Sequence, residues 1–171
     1  MNSALQIPRN QTVQQIFDTL TQRGSRQSQL HDSELHAYLT NLLVESVHAE
    51  NLFRLGTKYH GPMDYITELF GKLEDSPDTE RRALYQHAGD YILFVLGVFP
   101  ESLMARVNPR TYAELGRRSY LMTAKLERRQ SVGVFRKLFE EFQNCVSTLN
   151  WVRDYVRDPF YQYVFRQFNI V

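Results

Sequence analysis

The hydrophobic positions of this sequence recur at helical spacing. Between residues 132 and 156, the apolar side chains fall within an arc of about 140° when successive residues are rotated by about 100°, as expected for a helix with one buried face. They are Val134, Phe135, Leu138, Phe139, Phe142, Cys145, Val146, Leu149, Val152 and Val156. No segment shows the sustained alternation of a half-buried strand, and the Asn-Gly and Asp-Gly pairs of tight hairpins are absent. The pattern predicts an all-α fold.

Capping signals define the starts of several predicted helices. Asp32-Ser33, Ser76-Pro77, Asn108-Pro109 and Asp158-Pro159 each supply an oxygen-bearing cap, three of them with a proline at the first helical position. Gly24 is predicted to end the first helix. The predicted helices are 11–22, 33–53, 62–73, 77–98, 109–129, 132–156 and 159–169.

The 77–98 segment is the predicted centre of the fold. From Tyr91 onward it is apolar nearly all round, which is typical of a helix enclosed by others. Gly89 and Gly97 permit close approach of neighbouring helices. We therefore expect a single-domain bundle over residues 1–171, with about seven helices around a largely buried central helix.

Composition adds limits on class and compartment. The chain has 171 residues, is 43% hydrophobic and carries a formal net charge of +1, so it is typical of a globular protein with no bulk preference for nucleic acid or anionic membrane. Its longest apolar run, nine residues from Tyr91 to Phe99, is too short to cross a bilayer. Cys145 is the single cysteine, so no intramolecular disulfide can form. These features, with no signal-peptide pattern at the start, predict a cytoplasmic protein.

Glu45 and His48 form an E-x-x-H pair, the spacing found in di-iron helical bundles. Such a site requires a second copy of the motif and two further glutamates, and the sequence has no second copy. Both residues also project away from the centre of the apolar stripe. We therefore predict no metal and interpret the pair as a solvated or rim contact.

His87 and Asp90 share one side of the central helix and suggest a general base with an orienting carboxylate. No serine or cysteine nucleophile is associated with them by a recognisable motif, and Cys145 lies on an apolar face. The alternative is that Asp90 pairs with a core-facing arginine. We predict no catalytic residues, and no cofactor, since both glycine-rich phosphate-binding motifs are absent.

A basic stripe follows the 109–129 helix when that helix is extended back by one turn. Residues 106–129 contain seven basic and two acidic residues, a local charge of +5. The basic residues are Arg106, Arg110, Arg117, Arg118, Lys125, Arg128 and Arg129. Three readings remain open: a nucleic-acid surface interrupted by Glu114, a surface for an acidic protein, and a solvated face.

Trp151 lies off the apolar stripe of its own helix, beside polar residues. Tryptophan with a polar fringe is enriched at protein interfaces, but it can equally cover a neighbouring helix of the same chain. The intramolecular reading is favoured, and both remain open.

Two segments carry a resemblance to known sequences. GDYILFVLGVFPESL, residues 89–103, is followed by Tyr112-x-x-x-Gly116-x-x-x-Tyr120. Together they resemble an uncharacterised family of bacterial all-helical proteins, over about a fifth of the chain. The resemblance implies a bacterial cytoplasmic helical protein and supplies no activity, cofactor or site residue. By itself, the one-turn separation of Gly116 and Tyr120 favours a close helix crossing.

Three functional hypotheses follow. The first is a non-enzymatic protein that works by protein association, including homodimer formation, through arginine-bearing or aromatic faces. The second is an enzyme, or a protein that binds a small molecule or a metal, with a pocket beside the central helix. The residues expected to line that pocket are Glu45, His48, His87, Asp90 and Tyr91. The third is nucleic-acid binding through the basic helix.

Overall fold

The predicted all-α fold is confirmed. The structure, a computed structural model, describes residues 12–48, 62–100, 107–128 and 132–157. These ranges form a packed helical bundle without strands. Its described helices are α1 (Val13–Gln27), α2 (Ser33–His48), α3 (Pro62–Gly71), α4 (Asp78–Val98), α5 (Pro109–Leu126), α6 (Val132–Glu140) and α7 (Phe142–Arg157). The predicted helix 159–169 and the end of 33–53 lie outside the described residues.

The central position of α4 is confirmed. Helices α5 and α7 both pack along it, α3 lies against it, and α1 packs between α2 and α7. The buried part of α4 extends from Ala88 to Gly97, with the exception of Asp90, which is partly buried. This is the half whose sequence is apolar nearly all round, in agreement with a helix that its neighbours cover.

Glycines allow the tight packing around α4, as their positions predicted. A Cβ added at Gly116 would lie 2.6 Å from Ile92 Cγ2, and one added at Gly97 would overlap Leu149. At Gly89 it would lie 2.9 Å from the Tyr120 ring. These separations are shorter than side-chain contacts permit, so at these three positions α4 approaches α5 and α7 this closely because one partner lacks a side chain.

Capping follows the sequence signals at two helices and departs from them at a third. Asp32 Oδ1 accepts from the Glu34 and Leu35 amides at the start of α2, and Asn108 Oδ1 accepts from the Arg110 amide at the start of α5. The predicted cap at Ser76 is wrong, because its hydroxyl donates to the Lys72 carbonyl instead.

The predicted end of α1 is also wrong. The helix continues through Gly24 to Gln27, and the chain turns at Gln29, which has a φ of 58°. Gly24 is not a helix end because it faces α7, where an added Cβ would lie 2.9 Å from the Thr148 carbonyl oxygen. Its lack of a side chain serves helix packing rather than termination.

The predicted 132–156 helix is interrupted at Glu141. The Glu141 amide donates a hydrogen bond to the Lys137 carbonyl, and the Cys145 amide donates one to the Glu141 carbonyl, so backbone hydrogen bonding continues across the break. Regular helix geometry nevertheless stops between Glu140 and Phe142. Helix α6 lies on α5, whereas α7 packs along α4 and α1. The break allows one continuous apolar pattern to serve two sets of neighbours.

Candidate functional site

The Asp90 carboxylate accepts hydrogen bonds from two tyrosine hydroxyls. Tyr38 donates to Oδ1 at 2.6 Å and Tyr120 donates to the same oxygen at 2.8 Å. Gln86 Nε2 donates to the Tyr38 hydroxyl at 3.3 Å. We call Tyr38, Gln86, Asp90 and Tyr120 the Asp90 cluster. It replaces the arginine partner that the sequence suggested for Asp90.

Three helices assemble this cluster. Helix α4 supplies Gln86 and Asp90, which are four residues apart and therefore share a face. Helix α2 contributes Tyr38, and α5 contributes the fully buried Tyr120. Gly89 lets the Tyr120 ring lie against the backbone of α4, which brings its hydroxyl within reach of Asp90.

Burial determines the electrostatics of Asp90. It raises the pKa of the carboxyl group to about 6, with a further increase from the charge of Glu45, while the tyrosine hydrogen bonds oppose the shift. Burial and the neighbouring Asp90 charge raise the pKa of Tyr38 and of Tyr120 above the ordinary tyrosine value, so both hydroxyls stay protonated donors.

His87 belongs to a separate tyrosine contact. Its Nε2 lies 2.5 Å from the Tyr65 hydroxyl, and the Tyr65 ring packs edge-on against Tyr91 with centroids 4.6 Å apart. Burial lowers the pKa of His87, so its neutral form is favoured. No hydrogen bond joins His87 to Asp90 in the part of the chain that the structure describes. The predicted base and orienter therefore contact different neighbours.

Glu45 and His48 do not form a described metal site. Glu45 is exposed on α2, and the His48 side chain lies outside the described residues. Among the residues that are described, no cluster of three histidine, cysteine or carboxylate side chains is placed to hold a metal ion. Cys145 is fully buried, and burial raises the pKa of its thiol to about 12, which disfavours the nucleophilic thiolate.

The basic stripe on α5 is partly neutralised by its own helix. Glu114 accepts from Arg117 Nη1 at 3.3 Å and from Arg118 Nε at 2.9 Å. Arg117 also donates to the Phe139 carbonyl and lies over the Phe139 ring, 4.1 Å from its centroid. Two of the predicted surface cations, Arg117 and Arg118, therefore already have hydrogen-bond partners within the chain.

Three other cations of the stripe remain available. Arg110, Lys125 and Arg128 are exposed, and none forms an ion pair with another described residue. Helix α5 ends at Leu126, so Arg128 follows the helix rather than continuing it. Arg106 and Arg129, the outer members of the predicted stripe, lie outside the described residues.

Trp151 packs within the chain, in agreement with the intramolecular reading. Its ring stacks on Tyr155 with centroids 5.0 Å apart, and its Cε3 atom would lie 3.3 Å from a Cβ added at Gly24. The side chain is only partly buried, so it closes the contact between α1 and α7 from the edge.

We expect Trp151→Ala to lower the free energy of unfolding by about 2 kcal/mol, because the ring covers α1 and leaves a gap when removed. Urea unfolding followed by circular dichroism measures the change. Tyr155→Phe, which keeps the stacked ring, is the matched control. Wild-type stability in Trp151→Ala would contradict the intramolecular role.

A groove separates α5 from α7. Both helices pack on α4 but scarcely touch each other, and the space between them has a volume of about 570 Å³. Leu96 and Pro100 line its base, while Arg110, Ala113, Glu114 and Arg117 of α5 form one wall and Phe142, Val146 and Asn150 of α7 form the other. Pro109, Glu140 and Gln143 complete the lining.

Asn150 fixes one side of this groove. With its amide oriented toward α4, Nδ2 donates to the carbonyl oxygens of Leu96 at 3.1 Å and Gly97 at 2.7 Å. These carbonyls belong to the last turn of α4, where intrahelical partners are missing. The side chain therefore joins α7 to the end of the central helix.

The predicted pocket beside α4 is not where this groove lies. Glu45, His87, Asp90 and Tyr91 do not line it, whereas Arg110 and Arg117 from the predicted interaction surface do. Sequence reasoning missed the groove and the roles of Tyr38, Tyr65 and Tyr120. One available signal was that a carboxylate on an apolar helix requires hydrogen-bond donors. The chain has ten tyrosines, whose hydroxyls are donors of this kind.

Comparison of the chain with protein-family models, with curated proteins and with solved structures finds no match. The resemblance to a bacterial helical family therefore stays a prediction. Within the described residues, no helix combines the length and apolar character needed to span a membrane.

Proposed function

We propose that this protein acts without catalysis, by associating with another protein through the basic surface of α5. The observation that carries the proposal is the set of exposed cations without an ion pair among the described residues, namely Arg110, Lys125 and Arg128. The opposite face of α5 is buried through Tyr112, Gly116 and Tyr120. The helix is thus fixed to the bundle on one side and presents charge on the other.

The chemistry of this surface favours an acidic protein over nucleic acid. Glu114 lies between Arg110 and Arg117 on the same helix, and a row of backbone phosphates would meet that carboxylate as well as the cations. Within the described part of the stripe, the three unpaired cations also fall short of the roughly six to ten phosphate contacts of many nucleic-acid-binding proteins. An acidic protein surface can place its carboxylates opposite single cations.

The side chains of α4 support a non-catalytic role. His87 contacts Tyr65, and Asp90 accepts from Tyr38 and Tyr120, so each is held by the packing of the bundle. We place the protein in the cytoplasm, where the single thiol of Cys145 would stay reduced, and regard the bacterial helical family as its proposed relatives.

Charge reversal tests the proposal. A labelled acidic amphipathic peptide is titrated with wild type, with Lys125→Glu/Arg128→Glu, and with Arg26→Glu/Arg136→Glu as the control. Both variants change net charge equally, and the control residues are exposed on α1 and α6. We expect about tenfold weaker binding in the first variant, an effect of roughly 1.4 kcal/mol, and little change in the control.

Two parallel measurements identify the partner class. If sedimentation shows a dimer that the Lys125→Glu/Arg128→Glu variant dissociates, the partner is a second copy and association is supported. Tighter binding of single-stranded RNA than of the peptide, with the same sensitivity to reversal, would replace the protein partner by nucleic acid. Equal loss in both variants, or no peptide binding and no dimer, would refute the proposal.

A further inference from the structure

We infer that the groove between α5 and α7 is a binding site for a small carboxylate with an apolar body. Arg110 belongs both to this groove and to the basic surface of the proposed association, but Lys125 and Arg128, the residues at which the association is tested, do not line the groove, so the two proposals can fail separately. The groove has a volume of about 570 Å³, which falls within the range of small-molecule sites in proteins. The groove exists because α5 and α7 share α4 as a support while remaining apart.

Two arginines supply the anion-binding part of the site. Arg110 and Arg117 are seven residues apart on α5, which places them two turns apart on one face, and both line the groove. Arg117 is held in place by the Phe139 carbonyl and ring. Arg110 is exposed and forms no ion pair with the described residues. A guanidinium free to form paired hydrogen bonds is well suited to a carboxylate.

The apolar part of the site lies between these arginines and the opposite helix. Leu96, Phe142 and Val146 are buried core residues that also line the groove. Ala113 lies between the two arginines on α5, and its small side chain leaves the space open. A ligand that places its carboxylate at Arg110 can therefore lay an aliphatic or aromatic body on this surface.

The carboxylates of the lining limit the charge of the ligand. Arg118 and Arg117 lower the pKa of Glu114 through their hydrogen bonds, so this group remains ionised and is already paired. Glu140 is exposed at the end of α6, near Gln143. A second anionic group on the ligand would meet Glu140, whereas a neutral or amino substituent would not be repelled. The site therefore favours a monocarboxylate or an amino acid.

A matched set of ligands tests this inference. Hydrocinnamate, phenylalanine and hydrocinnamyl alcohol share one aromatic skeleton and differ in the carboxylate and the amino group. Isothermal titration calorimetry with the full chain should show binding of hydrocinnamate. The alcohol should bind at least about tenfold more weakly than hydrocinnamate, because it lacks the charge-assisted hydrogen bond to Arg110.

Two variants localise the binding. Ala113→Met fills the space between the arginines without a change of charge, and Arg110→Gln removes the free guanidinium. We expect each to weaken hydrocinnamate binding by about tenfold or more. The controls are Ala83→Met, at an exposed position of α4, and Arg136→Gln on α6, and both should bind as wild type does. Thermal melts confirm that every variant is folded.

The results distinguish amino acids from simple carboxylic acids as the ligand class, and they also show whether the carboxylate site exists. Phenylalanine binding at least as tight as hydrocinnamate would identify amino acids as the ligand class, and weaker binding would identify simple carboxylic acids. Either result supports the site. Equal affinity for the alcohol, no effect of Ala113→Met, or no binding of either carboxylate would overturn the inference.

Discussion

Gly97→Ala is expected to lower the free energy of unfolding by about 3 kcal/mol, near the upper end for overpacking of a core. A Cβ at this position would overlap the Cβ of Leu149 and lie 2.7 Å from its Cδ1. Leu149 is fully buried, and its Cβ is attached directly to the α7 backbone, so relief requires movement of the helix rather than of a flexible side-chain end.

The neighbourhood of Gly97 opposes that movement. Asn150, the next residue of α7, donates to the carbonyls of Leu96 and Gly97, so a shift of α7 away from α4 would also weaken these bonds. Separation would leave helix-end carbonyls without their side-chain donor, which adds to the packing cost. The expected loss therefore combines overlap with weakened capping.

Chemical denaturation of Gly97→Ala and of Gly133→Ala measures this effect. A Cβ added at Gly133 meets no atom within 4 Å, so that variant serves as the control. Because alanine reduces the entropy of the unfolded chain, Gly133→Ala should raise stability by about 0.5 kcal/mol. Wild-type stability in Gly97→Ala would show that α4 and α7 are not in the close contact described.

Asp90→Asn is expected to raise the free energy of unfolding at pH 8 by up to about 3 kcal/mol. Burial raises the pKa of Asp90 from 3.8 in the unfolded chain to about 6 in the folded protein. Between these two pH values the folded state keeps a proton that the unfolded state has released, and at pH 8 the folded state must hold a buried charge. Stability from this group is fully present below pH 3.8 and is lost as the pH rises through about 6. Two pKa units correspond to about 3 kcal/mol.

Asparagine reproduces the protonated form of this group. Its side-chain oxygen can accept from Tyr38 and Tyr120 as Asp90 Oδ1 does, without the cost of a desolvated charge. Wild type and Asp90→Asn should therefore have similar stability near pH 4 and diverge as the pH rises. A constant difference across this range would contradict the raised pKa of Asp90.

His87 must be separated from this effect. Burial lowers its pKa from 6.5, so its stability contribution is present above that value and is lost as the pH falls. The two groups have opposite pH dependence. Since wild type and Asp90→Asn both contain His87, the difference between their urea-unfolding curves isolates Asp90.

Two controls complete the experiment. Asp75→Asn, at an exposed position before α4, should produce no comparable pH-dependent gain. Asp90→Ala removes the acceptor of the fully buried Tyr120 hydroxyl and should be less stable than Asp90→Asn at every pH, by about 1–3 kcal/mol.

Local features of the candidate site were predictable only in part. The sequence placed Asp90 on the central helix and located the cations of α5, because both statements depend on helical spacing within one element. It did not show that Tyr38 and Tyr120 donate to Asp90, since these residues are 52 and 30 positions away from it in the chain. Nor did it show that Arg117 is committed to Phe139.

The sequence by itself determined the all-α class, the central position of α4 and the caps at Asp32 and Asn108. These follow from periodicity and from the bonding needs of helix ends, which are local properties. Only the tertiary structure decided that Gly24 packs instead of ending a helix, that the 132–156 segment divides at Glu141, and that a groove separates α5 from α7. Each depends on which surfaces meet, and helices with similar apolar faces do not specify their neighbours through spacing alone.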